Sequence, residues 1–444
     1  MGTHPPPTDR ELIKVRSDRI ELGMYMANAD RPWLETRFLY QGFLVANENI
    51  LKEVRRECPF IYVDVGRSLH SLNLQWLRGP VSRLTNKVPS KSNISPRDRK
   101  LIRTADPGRY EVKKSVVEVF DNAYSKHQSG LNSMKEVLRD IKRGGGISVT
   151  NVRRSVKACV ASIVENPNAM LWLTRLRNRH EYTAEHCLNV GILAIALGRH
   201  LGLDETALET LGLCGMLHDV GKMQIDQSIL NKPARLTEQE FAVIKSHCEL
   251  GRKILEADSD LPKEAIEAAW GHHERIDGTG YPYGTKASTL NLFTRIISIV
   301  DAYDAITANR SYDNSRPATE AIKILFYSRG SQFDRWLVEE FIACLGIYPT
   351  GSLVELQSGE GAVVIDSNKN SRLYPKVTIV LDERKRNRQP LVVDTRDYER
   401  SHDSRTIRTV LDENEFNIDY EYIFSHFRLI NKPDHPAKTV SFGK

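Results

Sequence analysis

The residues best suited to chemistry begin with two adjacent histidines, His272 and His273. A tight turn at Asp277-Gly278 and the corner Gly280-Tyr281-Pro282 follow them at once. Imidazole is the commonest metal-binding side chain near neutral pH. Glycine lets the backbone come close to a ligand, and proline fixes the corner. The stretch is typical of a metal site with a backbone lip beside it; the alternative is a surface histidine pair before an ordinary loop.

Other histidines and aspartates fall on the apolar faces of predicted helices. Each is separated from apolar residues by steps of three or four, which places them on one helix face. The four sets are His186 with Val190, Leu193 and Leu197; His218 with Ala207, Leu211 and Cys214; His247 with Ile244, Gly251 and Ile254; and Asp301 and Asp304 with Ile297 and Ala308. We expect the third set to lie on one helix that opens with the capping box Thr237-x-x-Glu240.

Four helices that each turn a polar group inward favour a bound metal. Burying imidazoles or carboxylates without partners costs kilocalories each, although a lone inward histidine is more often a satisfied core residue. Imidazole and carboxylate ligands together suit iron, manganese, zinc or another first-row metal. No cysteine thiolate is placed among them, which argues against a structural zinc finger.

His218 and Asp219 are adjacent in sequence, so they can supply two ligands, and an aspartate can bridge two ions. Two ions roughly 3.5–4 Å apart suit phosphoester hydrolysis, because they activate a shared water and stabilise the attacking and leaving oxygens.

The composition is that of an ordinary globular protein. The chain has 444 residues, of which 40% are hydrophobic and 27% charged, and its net charge is +6. Two or three domains are expected at this length. There is no apolar run of about 20 residues, no signal-peptide core and no paired cysteine motif. These features predict reduced thiols, a cytoplasmic location, no membrane span and no specific nucleic-acid partner.

The chain divides into segments of different character, and the predicted fold class is mainly α. In chain order these segments are a small β-rich domain (1–80), a basic linker (81–111), a connecting helix (112–149), a strongly helical domain (150–348), an extension with short strands (349–432) and a disordered tail (433–444). The helical domain contains all of the candidate site residues.

The connecting helix has two interpretations. Apolar residues recur at alternating three- and four-residue steps from Val117 to Ile141, which is a heptad pattern. The helix 117–141 could form a coiled coil that makes a homodimer or transmits a signal, or it could pack on its own domain. His127 and Gly130 weaken the seam without deciding between the two.

Taken in order, the candidate residues form a recognisable series. They are His186, the run His218-Asp219-Val220-Gly221-Lys222, His247, the run His272-His273-x-x-x-Asp277-Gly278-x-Gly280-Tyr281-Pro282, and Asp301-x-x-Asp304. This series resembles the HD-GYP family, the branch of the HD phosphohydrolases that degrades cyclic di-GMP. The resemblance covers about residues 175–345 and implies an all-helical HD-type metal-dependent phosphohydrolase domain.

The N-terminal segment has a resemblance of its own. The words Leu22-Gly23-Met24-Tyr25, Asp30-Arg31-Pro32-Trp33-Leu34 and Gln41-Gly42-Phe43-Leu44 are similar to the β-rich domain of unknown function that often precedes such modules. This resemblance implies a regulatory or structural role, with signalling proteins as partners.

The HD-GYP resemblance implies a role for each matched residue. It assigns His186, His218, Asp219 and Asp301 to one metal ion, and His247, His272 and His273 to a second, with Asp219 as the bridge. Lys222 and Arg310 would hold substrate phosphate, the lip Gly280-Tyr281-Pro282 would receive the substrate, and Asp304 would orient a ligand. The catalytic residues would be Asp219, Lys222 and His218.

The implied reaction is the hydrolysis of cyclic di-GMP to linear pGpG, with GMP as a further product, by a hydroxide that bridges two divalent metal ions. Iron or manganese is favoured, with zinc, nickel, cobalt or magnesium as alternatives. The acidic Asp313, where many members carry a base, favours a second hypothesis: a cyclic di-GMP-binding scaffold protein with little turnover. A third is an HD hydrolase of another nucleotide.

The number of metal ions depends on the residue four positions before His186. Some family members have a glutamate there that helps to hold a third ion, but this chain has Tyr182. A neutral phenol is a poor ligand for a hard cation. Glu181 and Glu185 lie at offsets that turn them to other sides of the helix. We therefore predict two ions.

Overall fold

The computed structural model divides into two units, Met1–Lys91 and Ser92–Lys444. The residues that it describes are 12–21, 24–30, 43–45, 48–64, 98, 101–102, 104–106, 108–145, 149–175, 182–232, 234–286, 288–308, 317–346, 348–367, 374–398, 405–412, 415–416 and 418–430. Arg310, Asp313, the predicted tail and most of the predicted linker lie outside these residues.

The first unit is a small antiparallel sheet with one helix, in keeping with the predicted β-rich segment. Its strands lie in the order β1-β4-β2-β3, and the apolar sides of the sheet and helix share one core. In chain order the elements are β1 (Leu12–Arg16), β2 (Tyr25–Ala29), β3 (Phe43–Leu44), α1 (Glu48–Glu57) and β4 (Phe60–Asp64).

The second unit is mainly helical, which confirms the predicted fold class. Its helices are α2 (Val116–Lys142), α3 (Val149–Glu165), α4 (Pro167–Leu173), α5 (Tyr182–His200), α6 (Glu205–Leu217), α7 (Gln227–Leu230), α8 (Glu238–Lys245), α9 (His247–Glu256), α10 (Lys263–Gly271), α11 (Leu292–Thr307), α12 (Ala318–Tyr327), α13 (Arg335–Leu345) and α14 (Tyr420–Ile430), with a short 3-10 helix at Val220–Gln224. Across the described residues, none of the helices combines the length and apolarity needed to cross a membrane.

Helices α5 and α6 form the centre of this unit. Both are apolar on most of their surface, as expected for helices surrounded by protein. They cross where Gly191 meets Gly215, and a Cβ atom on Gly215 would lie 2.6 Å from the Gly191 Cα atom. This close approach brings the rings of His186 and His218 to a centroid distance of 5.2 Å.

Helix α2 is a core helix of its own chain. It begins at a capping box formed by Ser115 and Glu118. The seam residues Phe120, Leu131 and Met134 are all buried, and the helix packs against α3, α4 and α5. These side chains are not available to a second copy, which corrects the coiled-coil interpretation of helix 117–141. A homodimer would have to use another surface.

The region predicted as one helix carrying His247 is two helices. The capping box of Thr237 and Glu240 is present at the start of α8. Helix α8 ends at Lys245, and α9 begins at His247. Between them, the Ser246 hydroxyl donates a hydrogen bond of 2.7 Å to the Val243 carbonyl, a local bond that competes with regular helix.

The C-terminal extension packs on the helical core. Strands β5 (Leu353–Leu356), β6 (Gly361–Asp366), β7 (Lys376–Leu381), β8 (Asn387–Asp394) and β9 (Ile407–Val410) form one antiparallel sheet in the order β8-β7-β6-β5-β9. Leu353 and Val363 face the helical core, whereas Val354 and Val364 face a separate apolar cluster, as the two-residue period of a strand requires. Helix α14, which the sequence interpretation missed, also packs on the helical core.

Candidate metal centre

The first set of potential ligands comes from three helices. His186 on α5, His218 at the end of α6 and Asp301 on α11 offer ligand atoms that all lie within 4.8 Å of one another. The His186 Nε2 atom lies 3.1 Å from Asp301 Oδ1, and the His218 Nε2 atom lies 3.7 Å from the same oxygen. All three side chains are buried. The predicted inward faces of α5, α6 and α11 therefore meet at one point.

The second set lies beside the first. Asp219, His247, His272 and His273 offer ligand atoms within 4.8 Å of one another. His247 is the first residue of α9, and His272 and His273 follow the end of α10. The first three side chains are buried and His273 is half-buried. The structure therefore brings together all seven residues that the sequence analysis assigned to metal.

Asp219 lies between the two sets, and its two oxygens face different histidines. Oδ2 is 3.4 Å from His186 Nε2 and 3.3 Å from His218 Nε2. Oδ1 is 3.4 Å from His247 Nε2 and 3.6 Å from His272 Nε2. This is the arrangement that a carboxylate bridging two ions requires.

Four histidines are oriented by bonds at their Nδ1 atoms. The Nδ1–H groups of His218, His247 and His272 donate to the backbone carbonyls of Gly215, Ile244 and Ala268, at 2.7, 2.6 and 3.0 Å. His186 Nδ1 lies 2.8 Å from Asp304 Oδ2. Metal-binding histidines commonly use one ring nitrogen in this way, which leaves the other to bind the ion.

The donor set fits divalent cations. When Nδ1 carries the proton, a neutral imidazole has a lone pair at Nε2. The Nε2 atoms of His247 and His272 are 3.3 Å apart, so two lone pairs face each other. In the described part of the chain, His218 Nε2 and Asp219 Oδ1 are buried without a hydrogen bond. Cations held by the two sets would satisfy these atoms, and imidazole and carboxylate donors together suit first-row divalent metals.

Burial and neighbouring charges act on the ligands of this site in different directions. Burial lowers the pKa of His247 to about 3, so this ring is neutral. Burial also disfavours an ionised Asp219, yet Lys222 and His218 hold its pKa well below the usual range. Burial opposes protonation of His218, but the carboxylates of Asp219 and Asp301 raise its pKa to about 9. His218 must therefore release a proton when a metal binds.

The lip residues lie against the second histidine set. Tyr281 packs its ring on His273, with centroids 4.7 Å apart and planes inclined by 31°. The Phe241 ring on α8 lies edge-on to the Tyr281 ring with centroids 6.1 Å apart, and 45% of Phe241 is exposed. A short row of aromatic rings therefore runs from the surface to the candidate metal centre.

Two residues near the site were not singled out by the sequence analysis. The only feature of the sequence that could have pointed to Phe241 is its position on the helix before His247. Glu274 directly follows the histidine pair and is 2% exposed. A carboxylate next to two adjacent histidines was the signal that could have found it. Of the predicted phosphate contacts, Lys222 lies at the site with its ammonium on Asp219 Oδ2, and Arg310 is not described.

Comparison with known proteins identifies both parts of the chain. Residues 163–337 match the family model described as HD domain, and residues 12–152 match a domain of unknown function, DUF3391. The chain is 31% identical over 375 residues to the cyclic di-GMP phosphodiesterase PA4108 of Pseudomonas aeruginosa, covering 84% of this chain and 86% of that protein.

Other relatives match mainly the helical domain. The cyclic di-GMP phosphodiesterase of Thermotoga maritima is 34% identical over 36% of this chain and 44% of its own length. The 3'3'-cGAMP-specific phosphodiesterase 3 of Vibrio cholerae is 35% identical over 32% of this chain and 31% of its own. With one relative similar along most of its length and an HD-domain match around these histidines and aspartates, the chain belongs to the HD-GYP family of phosphodiesterases.

Proposed function

We propose that this protein hydrolyses one phosphodiester bond of cyclic di-GMP and releases linear pGpG. The relative PA4108, which is named for this activity, is similar across both units of the chain. The relatives named for 3'3'-cGAMP align with about a third of it. The longer similarity favours cyclic di-GMP over the mixed dinucleotide.

The observation that carries the proposal is the position of Asp219, whose two oxygens face two different histidine sets. We assign His186, His218 and Asp301 to one ion and His247, His272 and His273 to the other. When bound, two divalent ions, iron or manganese, supply an ionised water as nucleophile and neutralise charge on the phosphodiester. Asp304 holds the His186 ring in the orientation that turns Nε2 towards the site.

Lys222 is assigned to the substrate phosphate. Its ammonium contacts Asp219 and its side chain is 23% exposed, so it lies at the solvent side of a buried carboxylate. Cations bound at that carboxylate would repel the ammonium and leave it to contact the phosphodiester. We assign Arg310 as a second phosphate contact because the family resemblance implies this role.

The lip Gly280-Tyr281-Pro282 is assigned to the guanine or the sugar-phosphate backbone. Tyr281 already stacks against His273, so a substrate that enters over the lip reaches the second histidine set directly. We also propose a cytoplasmic location, and a regulatory role for the first unit through signalling partners.

A substrate panel tests the activity. Purified full-length protein loaded with iron or with manganese is incubated with cyclic di-GMP, 3'3'-cGAMP and bis(p-nitrophenyl) phosphate, and the products are separated by chromatography. We expect pGpG from cyclic di-GMP at the highest kcat/KM. Faster turnover of 3'3'-cGAMP would reassign the substrate, and tight binding of cyclic di-GMP without product would support the scaffold hypothesis.

Replacement of the bridging carboxylate tests the site. Asp219→Ala should abolish hydrolysis and lower the metal content of both positions, because one side chain serves two ions. Metal analysis of the purified variant beside Asp140→Ala, which alters an exposed aspartate on α2, measures the effect. Near-normal turnover with full metal content would contradict the assignment.

A further inference from the structure

Glu274 is a buried carboxylate whose two oxygens are both used within one loop. The Tyr283 N–H donates to Oε1 and the Thr285 N–H donates to Oε2, each at 2.8 Å. The side chain is almost wholly buried. Hydrogen bonds to an ionised acceptor are among the strongest in proteins, and two backbone donors offset the cost of burying this charge.

The hydrogen bonds of Glu274 close a loop that contains the lip. Residues 274–285 leave the histidine pair, pass through Gly280-Tyr281-Pro282 and return to the Glu274 carboxylate. Within the loop, the Tyr281 N–H donates to the His273 carbonyl at 3.2 Å. The Tyr283 ring stacks on Trp270 at 5.3 Å, next to the point where its N–H meets Glu274. Glu274 therefore joins the metal-site histidines to the far end of the lip.

The geometry separates Glu274 from the metal ligands. Each of its two oxygens accepts a hydrogen bond from a backbone N–H group. It belongs to neither of the ligand groups that the described residues form. Its neighbour His273 packs against Tyr281, so a shift of the lip would change the surface over the second set without removing a ligand.

We propose that Glu274 is a positioning residue for substrate binding, which holds the Tyr281-Pro282-Tyr283 corner over His273. This role rests on the proposed function, because the lip matters only if a cyclic dinucleotide enters there. Through the position of the lip, the carboxylate affects the affinity for the substrate. It does not affect metal binding or the chemical step. Its loss should therefore raise KM for the dinucleotide far more than it lowers kcat.

The test compares Glu274→Gln with Glu256→Gln, which alters an exposed glutamate on α9, in the full-length metal-loaded protein. The glutamine amide has one acceptor oxygen, so one of the two backbone donors loses its partner. For Glu274→Gln we expect unchanged metal content and a rate on bis(p-nitrophenyl) phosphate within about twofold of wild type. The KM for cyclic di-GMP should rise about tenfold, which is the size expected for loss of one hydrogen bond to a charged group. Glu274→Asp keeps the charge but is one methylene shorter, and it should fall between the two.

Hydrogen–deuterium exchange supplies a readout that does not depend on activity. The amides of Tyr283 and Thr285 should be protected in wild type and in Glu256→Gln, and should exchange faster in Glu274→Gln. If exchange and KM are both unchanged in a variant that is still active, the role of Glu274 is overturned and the proposed function stands. Loss of metal would make it part of the metal centre instead. A wild-type protein that neither binds nor cleaves cyclic di-GMP would overturn the proposed function, and this role with it, even if exchange changed as expected.

Discussion

Four of the five histidines assigned to the centre have their Nδ1 atom held by a hydrogen bond before any ion arrives. Backbone carbonyls fix the Nδ1–H groups of His218, His247 and His272, and Asp304 fixes His186. The helices thus set the ring orientation, and the Nε2 atoms of these four rings converge around Asp219. Binding then costs little reorganisation, because the ligand atoms are already in place.

Lys222 should act on the substrate rather than on the metals. Lys222→Ala should lower kcat/KM for cyclic di-GMP by about 10- to 100-fold, since a charged contact to phosphate is worth about 1.5–3 kcal/mol. Metal content should stay near that of wild type. Lys253→Ala on the exposed face of α9 is the matched control. Loss of metal in Lys222→Ala would show that the lysine supports the centre itself.

Tyr182 should limit the centre to two ions. It is the first residue of α5, so it lies one helical turn before His186. A third ion would lack a carboxylate ligand at this position. Without that ion the linear product should be a poorer substrate, so pGpG should accumulate ahead of GMP. Metal analysis and product chromatography on one sample check both statements, and Tyr182→Glu should bind an additional ion and release GMP faster. Three metals per wild-type chain, or rapid complete conversion to GMP, would contradict the prediction.

At the scale of elements, the centre depends on two close helix contacts. The crossing of α5 and α6 at Gly191 and Gly215 brings His186 and His218 of the first set together. The 3-10 helix after Asp219 packs just as closely on α9, where a Cβ atom on Gly221 would lie 2.0 Å from the His247 carbonyl oxygen. Glycine at 221 therefore lets Asp219 reach the second set.

Helix α2 carries a buried histidine that should make the fold acid-sensitive. Within the described residues, neither ring nitrogen of His127 has a hydrogen-bond partner, and burial lowers its pKa to about 4. The unfolded chain binds a proton near pH 6.5, whereas the folded chain does not. Stability should therefore fall as the pH drops from 6.5 to 4, by about 3 kcal/mol from this one group.

Denaturant unfolding between pH 7 and 4 measures this loss. His127→Leu has no proton to bind, so its unfolding free energy should decline less with acid than that of wild type. The difference between the two proteins should grow by about 3 kcal/mol over the range. Parallel pH profiles would show that His127 remains accessible to protons in the folded state.

At the scale of the molecule, the C-terminal extension is part of the catalytic unit. Phe424 on α14 lies 5.2 Å from the Phe120 ring and 4.9 Å from the Trp172 ring, and Phe427 completes the cluster. The Asn168 amide donates to Asp366 of β6 at 2.9 Å, which adds a polar contact between α4 and the sheet. The extension therefore stabilises the helices that hold the centre.

Truncation of one ring tests this contribution. Phe424→Ala should lower the unfolding free energy of the second unit by about 3–5 kcal/mol, because it leaves a cavity between three helices. Tyr422→Ala, two residues earlier and 50% exposed, should change it by less than about 0.5 kcal/mol. Urea unfolding followed by circular dichroism compares the two. Equal stabilities would show that α14 contributes little to the fold.

The sequence alone predicted a metal site and, through the family resemblance, a reaction. Histidines and aspartates on the apolar faces of α5, α6 and α11 can be recognised because burial of unpartnered polar groups is costly, so their periodicity already implies a metal. The ordered series from His186 to Asp304 then identified the family by resemblance. Local propensity also predicted a β-rich first segment and short strands in the C-terminal extension, since alternating β-branched residues and turn residues depend only on near neighbours.

Only the tertiary structure decided which element packs against each apolar face and which distant residues contact one another. The heptad pattern of α2 is the same whether its partner is another chain or α3, α4 and α5, because periodicity marks a buried face but does not identify the partner. The Glu274 hydrogen bonds join residues nine and eleven positions apart through a folded loop, which no helical or strand period encodes. Asp219 was predicted as a bridge by resemblance, but its two oxygens face separate histidine sets only because Gly191, Gly215 and Gly221 let distant helices approach within contact.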